Sequence, residues 1–481
     1  MAYWLVGLPL MFAAASFACQ TDRWRPWLVP VGATAHFALV FAAVFPPPGA
    51  AAVSGLGGWL LLDAPGKVVL GLVSTLFLLC SWYAPGYLAL RRERPNRILC
   101  TNGFATLAMM TLVTLAHHLG LMWVAIEATT LASAPLLYFN HNARSLEATW
   151  KYLLISSVGI ALALLGSFFL AYASLAAGLE STLLFEQLVD DASQLSPPWL
   201  HAAFVLLLIG YGTKMGLAPM HTWKPDAYGE APGSVGALMA GGVTSCAFLA
   251  ILRIYRICQA SAAAAFSREM MIFLGLLSMA VAAAFMVRQR DFKRMLAWSS
   301  VEHMGILVLG IGIGGLAVYG ALLHAINNAL TKGVLFLSAG NLHRAFGSKL
   351  TDEVHGALGV APLSAVLFLS GFLAITGSPP FGPFVSELTI LRAAMNGGQF
   401  AVAALFLTLL AVVFVGMGAT VLRIVQGVST QEAPVTGFRD HFSTSAPIAV
   451  LLLLVLLLGL YIPPPLESLL REAAAVLEVR P

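Results

Sequence analysis

Charge is what this sequence has least of. Lys, Arg, Asp and Glu make up only 10% of its 481 residues, against about 25% in soluble domains. With 59% hydrophobic residues, the composition excludes a water-soluble fold and fixes an all-α polytopic membrane protein. Cysteine is also scarce. Cys19, Cys80, Cys100, Cys246 and Cys258 lie in or near apolar segments and form no C-x-x-C pair, which excludes a disulfide framework and an iron–sulfur site. There is no phosphate loop and no zinc motif. The glycine run Gly310-Ile-Gly-Ile-Gly-Gly315 has no strand before it and falls at a helix end, so it is not a dinucleotide loop. The longest connections, 46–65, 177–199 and 425–445, leave no room for a soluble domain, although the last has enough amphipathic character to lie on the membrane surface. No catalytic centre, cofactor or metal site is therefore expected. The net charge of +4 is spread over short loops, which gives no nucleic-acid footprint. Met1-Ala-Tyr-Trp lacks the basic start of a cleaved leader, so the first helix is expected to be retained.

What is abundant is apolar sequence in pieces near the ~20 residues a bilayer requires. About fourteen spans are predicted: 2–19, 27–45, 66–86, 98–116, 119–138, 149–175, 200–220, 234–255, 270–288, 294–313, 316–340, 361–391, 400–424 and 446–463. With both termini outside, 17 of the 26 Lys and Arg residues fall in inner loops and 7 outside. The positive-inside rule supports that orientation in a plasma (inner) membrane. Lys224, Lys293 and Arg294 are counted here as ordinary inner-loop charges. Only Lys214 and Lys332 are left at membrane depth.

Those two lysines head a short set of ionisable residues in apolar surroundings. Lys214 follows the run Ala202–Gly210, and Gly216 and Pro219 then break the helix. A lysine at the bilayer centre costs roughly 2.5–3.5 kcal/mol on insertion scales. A helix broken at that depth is tolerated only inside protein or beside a wet cavity. Together they point to an ion site rather than to a lysine snorkelling from a short helix. The twelfth span is broken in the same way at Gly377-Ser-Pro-Pro-Phe-Gly-Pro383, through Pro379, Pro380 and Pro383, and Glu387 follows. Glu127 sits in the middle of the fifth span. It is either a protonated structural residue or the partner of Lys214. In the eleventh span, His324, Asn328 and Lys332 share one face, with Asn327 and Thr331 beside it. Glu302 and His303 enter the tenth span from its inner end, either within the membrane or at its interface.

The stretch Lys214-Met-Gly-Leu-Ala-Pro-Met-His-Thr-Trp-Lys-Pro-Asp-Ala-Tyr-Gly-Glu-Ala-Pro232 resembles the pattern K-x-x-x-x-P-x-H-x-W-L-P-D-A-x-x-E-A-P. That pattern is found in the proton-conducting antiporter-like subunits of complex I, of Mrp-type antiporters and of membrane-bound hydrogenases. Two further blocks, Asp291 to Gly305 and Thr376 to Leu391, are similar to blocks of the same family. Their wording is closest to hydrogenase-4 component F. The resemblance covers roughly residues 95–430. It implies two inverted five-helix repeats, helices 4–8 and 9–13, with helices 7 and 12 broken. The chain then divides into 1–97, 98–256, 257–427 and 428–481, the last a surface loop with helix 14.

The resemblance also implies roles. Glu127 and Lys214 match the first-half Glu–Lys pair, His324 and Lys332 the relay of the eleventh helix, and Glu387 the terminal carboxylate, where other members carry Lys. The expected function is proton translocation by one membrane subunit of a larger complex. Protons would pass through Lys214, Glu302, His303, His324, Lys332 and Glu387. Energy would come from other membrane subunits and a peripheral redox module. A sodium/proton antiporter subunit and a non-conducting anchor of a hydrogenase or inorganic-carbon module are the rivals. One departure stands out. The family often has Lys or His in the eighth helix, and here there are only Thr244, Ser245 and Cys246. Hydroxyls can hold a water chain, so a hydrated region is expected near Thr244 and Ser245.

Overall fold

The structure, a computed structural model, describes all residues except 48, 50, 428–437 and 479–481. Residues 428–437 of the surface loop expected at 425–445 lie outside the described residues. Each of the fourteen predicted spans has a helical counterpart, from Ala2–Ala18 to Phe442–Leu460. Among the described residues, ten helices are long and apolar enough to cross a membrane. The apolar runs become helices because a chain in lipid must satisfy its own backbone groups.

Both expected breaks are present. The seventh span runs from Pro197 to Met215 and stops at Gly216, whose φ of +84° is left-handed. A second piece, Trp223–Glu230, follows. The twelfth span divides into Pro362–Ile375 and Gly382–Asn396, with Gly377 at φ +68° between them. Lys214 thus lies in the last turn of a half-helix, where the carbonyl end favours a cation.

Three elements were not foreseen. A two-residue hairpin pairs Ser54–Gly55 with Leu60–Leu61. A short helix, Phe185–Asp190, sits in the acidic connection 177–199. After the fourteenth span a further helix, Pro464–Leu477, buries Leu469, Leu470, Ala473 and Leu477 against Ala64–Ala89 and Leu316–Phe346.

Close helix approach fixes the frame around the breaks. Ala143–Ala176 packs along Pro197–Met215, and a Cβ added to Gly210 would lie 2.6 Å from the Ala163 nitrogen. Ala264–Met286 packs in the same manner along Phe292–Ile313, and a Cβ on Gly305 would meet the Gly275 carbonyl oxygen at 2.6 Å. Small residues that let backbones touch are how helices associate without a hydrophobic drive between them.

The piece Trp223–Glu230 is held by charge. Asp226 pairs with Lys151 and Arg294, both at 2.9 Å. Lys349 reaches Glu230 at 2.5 Å and Asp291 at 3.3 Å. Lys293, assigned from the sequence to an inner loop, is buried and donates to the Ala231 carbonyl at 2.6 Å.

Gly305→Val should separate the ninth and tenth spans. Overpacking of this kind costs about 1–3 kcal/mol, read as a lower melting temperature of the purified protein. An unchanged melting temperature would mean that the two backbones are not in contact.

Candidate functional site

In the first half, Lys214 is buried at the end of its half-helix. Its Nζ donates to Thr130 Oγ1 at 2.8 Å and to the Tyr152 hydroxyl at 2.5 Å. Thr130 in turn donates to Glu127 Oε2 at 3.2 Å, and Ser157 donates to Glu127 Oε1 at 3.4 Å. The sequence pointed to a Glu127–Lys214 ion pair, direct or through one water. Instead the hydroxyl of Thr130, one turn further along the same helix, stands between the two charges. Glu127 itself is only half-buried. A hydroxyl accepts and donates at once, so Thr130 joins the two groups without bringing them into contact. Tyr152 shares its oxygen with Ser133 at 2.7 Å. None of these hydroxyl residues stands out in the sequence.

In the second half, Lys332 Nζ donates to Ser299 Oγ at 2.7 Å. Glu302 and His303 are both buried inside the protein. His303 Nδ1 and His324 Nε2 share a hydrogen bond of 2.9 Å, and His324 Nδ1 and Ser386 Oγ another of 2.9 Å. Ser386 neighbours Glu387 in the half-helix Gly382–Asn396. The carboxylate of Glu387 lies over Gly377, where an added Cβ would come within 2.2 Å of Oε2. Gly377 therefore serves both the turn and the carboxylate. Ligand atoms of His303, His324 and Glu387 all fall within 4.8 Å of one another, so the three form one cluster.

The polar stripe of the eleventh span is fully internal. Asn327 and Asn328 are 0% exposed, and their side-chain nitrogens and oxygens have no protein partner. Glu302 Oε2 and Glu387 Oε1 share that condition. Buried polar atoms require partners, and ordered water is the usual one. The unpaired atoms lie on the elements that carry Lys332, Glu302 and Glu387.

The eighth span, where hydration was expected, directs its hydroxyl protons inward to its own backbone. It contains a π-helical segment, Leu238–Val243, followed by Thr244–Gln259. Thr244 Oγ1 donates to the Ala240 carbonyl at 2.7 Å and Ser245 Oγ to the Gly241 carbonyl at 2.6 Å. Both residues are fully buried, and their protons go to their own helix. The placement of Lys224 is overturned. This lysine is not an inner-loop charge but is 0% exposed, with Nζ 3.1 Å from Ser300 Oγ.

Thr130→Val keeps the side-chain shape and removes the hydroxyl. A hydrogen bond to a charged group contributes about 1.5–3 kcal/mol, so any ion flux that depends on the Glu127–Lys214 coupling should fall roughly tenfold or more in reconstituted vesicles. Unchanged flux in the valine variant would show that Thr130 couples nothing.

The matching family model is described as NADH:quinone oxidoreductase/Mrp antiporter, TM, and spans residues 116–415. A hydrogenase-4 component F homolog from Methylacidiphilum infernorum is 34% identical over 385 residues, covering 78% of each chain. The fold is shared with a chain of an archaeal membrane-bound sulfane sulfur reductase, at a TM-score of 0.88 and 20% identity over 99% of this chain and 97% of that one. It is shared equally with a chain of the Mrp complex from Dietzia sp. DQ12-45-1b, at a TM-score of 0.86 and 21% identity over the same shares. Both of these structures are multisubunit membrane complexes. The chain belongs to the antiporter-like transmembrane subunits of the NADH:quinone oxidoreductase, Mrp antiporter and hydrogenase family.

Proposed function

We propose that this chain translocates protons as one membrane subunit of a larger redox-driven complex of the hydrogenase or complex I type. The observation that carries the reading is the buried line from His303 through His324 to Ser386, beside Glu387, with both links at 2.9 Å. Each imidazole can accept a proton on one nitrogen and release one from the other. A line of such groups inside an apolar protein serves proton movement better than it serves packing, because every member costs desolvation. Lys214 would hold a proton with Glu127 modulating it through Thr130. Burial disfavours an ammonium and a nearby carboxylate favours it, so displacement of Glu127 would send the proton onward. Water among Asn327, Asn328 and Glu302 would complete the route to Glu387. The chain offers no redox centre in its sequence, so the driving energy would enter through partner subunits and a peripheral redox module. The excess of basic residues in its inner loops supports placing both termini outside.

Lys214→Ala should leave the complex assembled and cut proton translocation at least tenfold, measured by dye quenching in vesicles during turnover. Lys214→Arg should not restore it, because a guanidinium does not give up its proton at accessible pH. Near-normal pumping in the arginine variant would exclude proton release from Lys214. Omission of sodium separates the rivals: flux that requires sodium would make the chain an antiporter subunit, and absence of any flux would leave it an anchor.

A further inference from the structure

We propose that Lys224 is a third proton-holding lysine and supplies the link between the two halves that the eighth helix lacks. This rests on the conduction reading above. The argument begins at the first break. The Lys224 side chain turns back across Gly216, where an added Cβ would meet Cε at 2.3 Å and Nζ at 2.8 Å. Gly216 has a left-handed φ of +84° and directly follows the half-helix that ends in Lys214 and Met215. One glycine therefore breaks the helix and lets a lysine chain cross its end. Any larger residue would close that passage.

The amine at its end also reaches the second half. Lys224 Nζ lies 3.1 Å from Ser300 Oγ and 3.5 Å from the Ser300 carbonyl. The residue before it, Ser299, holds Lys332 Nζ at 2.7 Å. Two buried lysines, one from each half, thus hang from consecutive serines of the helix Phe292–Ile313. Consecutive side chains on a helix do not face each other, so the two hydroxyls, each both donor and acceptor, would be joined by water between them.

The surroundings suit a proton that comes and goes rather than a fixed charge. Among the described residues, Lys224 makes no ion pair with a carboxylate. The titratable groups around it are Tyr228, whose ring centroid is 5.7 Å from Nζ, with Lys332, His303 and His221, and none of them is a carboxylate. A lysine placed to hold the fold together would be expected to have a carboxylate partner, because an unpaired buried charge is strongly unfavourable. Serine oxygens and a tyrosine ring accommodate an ammonium without neutralising it. The side chain that releases its proton under such conditions is lysine rather than arginine.

Two sequence departures fit together here. The pattern that this chain resembles has leucine between the tryptophan and the proline, and this chain has Lys224 there. The eighth helix, in turn, has no lysine or histidine, and Thr244 and Ser245 spend their protons on their own carbonyls. The cationic link has moved from the eighth helix to the break before it.

The test uses the complete complex in vesicles. Lys224→Met, with Lys224→Gln as a second variant should the first fail to assemble, is expected to lower proton flux at least tenfold. Lys224→Arg is expected to be as defective as the methionine variant, and Ser245→Val to pump normally. Normal flux in both Lys224→Met and Lys224→Gln would overturn the proposal, and so would full recovery in Lys224→Arg, which would reduce Lys224 to a fixed charge. If Lys214→Ala also pumped normally, the conduction reading itself would fall. If Lys214→Ala were defective while the Lys224 variants pumped, only the link would fall.

Discussion

An ionised side chain inside an apolar protein must be compensated locally, and that requirement organises this molecule. Lys214, Lys224 and Lys332 are all buried, and none of them forms an ion pair with a carboxylate among the described residues. What holds them is a set of hydroxyls: Thr130 and Tyr152 for the first, Ser300 for the second, Ser299 for the third. Hydroxyls stabilise an ammonium without trapping it. A full salt bridge would hold the proton more firmly, and an alkyl pocket would expel it. The intermediate strength is what a relay requires.

The interrupted helices follow from the same requirement. A continuous helix satisfies its own backbone and has nothing to offer a charge. Stopping at Met215 leaves Lys214 in the last turn of a half-helix, at its negative dipole end, and stopping at Ile375 clears space over Gly377 for the Glu387 carboxylate. Breaks loosen a bundle, so the neighbouring helices must be rigid. The backbone contacts at Gly210 and Gly305 provide that rigidity on the two sides of the site.

Much of this was legible in the sequence, for a simple reason. Glu127, Lys214, His324, Lys332 and Glu387 are ionisable residues in apolar runs, and such residues are conspicuous. Both breaks were legible from Gly and Pro. The hydroxyls were not. Thr130, Tyr152, Ser299, Ser300 and Ser386 are ordinary residues in apolar helices, and only the folded arrangement shows which of them face a charge. Lys224 was misplaced because it stands two residues from Asp226 in a polar stretch. Composition cannot say that one side chain turns inward while its neighbour pairs with Lys151 and Arg294. The helix Pro464–Leu477 was missed because it is too short and too charged to look like a span.

The ionic clamp on Trp223–Glu230 has a mechanical consequence. Lys349 grips Glu230 with the same amine that reaches Asp291, at the start of the tenth span. The short helix is thereby held at both ends, by Lys349 at Glu230 and by Trp223, whose indole Nε1 donates to the Thr213 carbonyl at 2.9 Å. Movement of the half-helix at Thr213 would carry Trp223 with it and shift Lys224 against Ser300 while Asp226 and Glu230 stay where they are. Strain that arises near Lys214 would therefore reach the second half as a small displacement of one amine, with no rigid-body movement of either half.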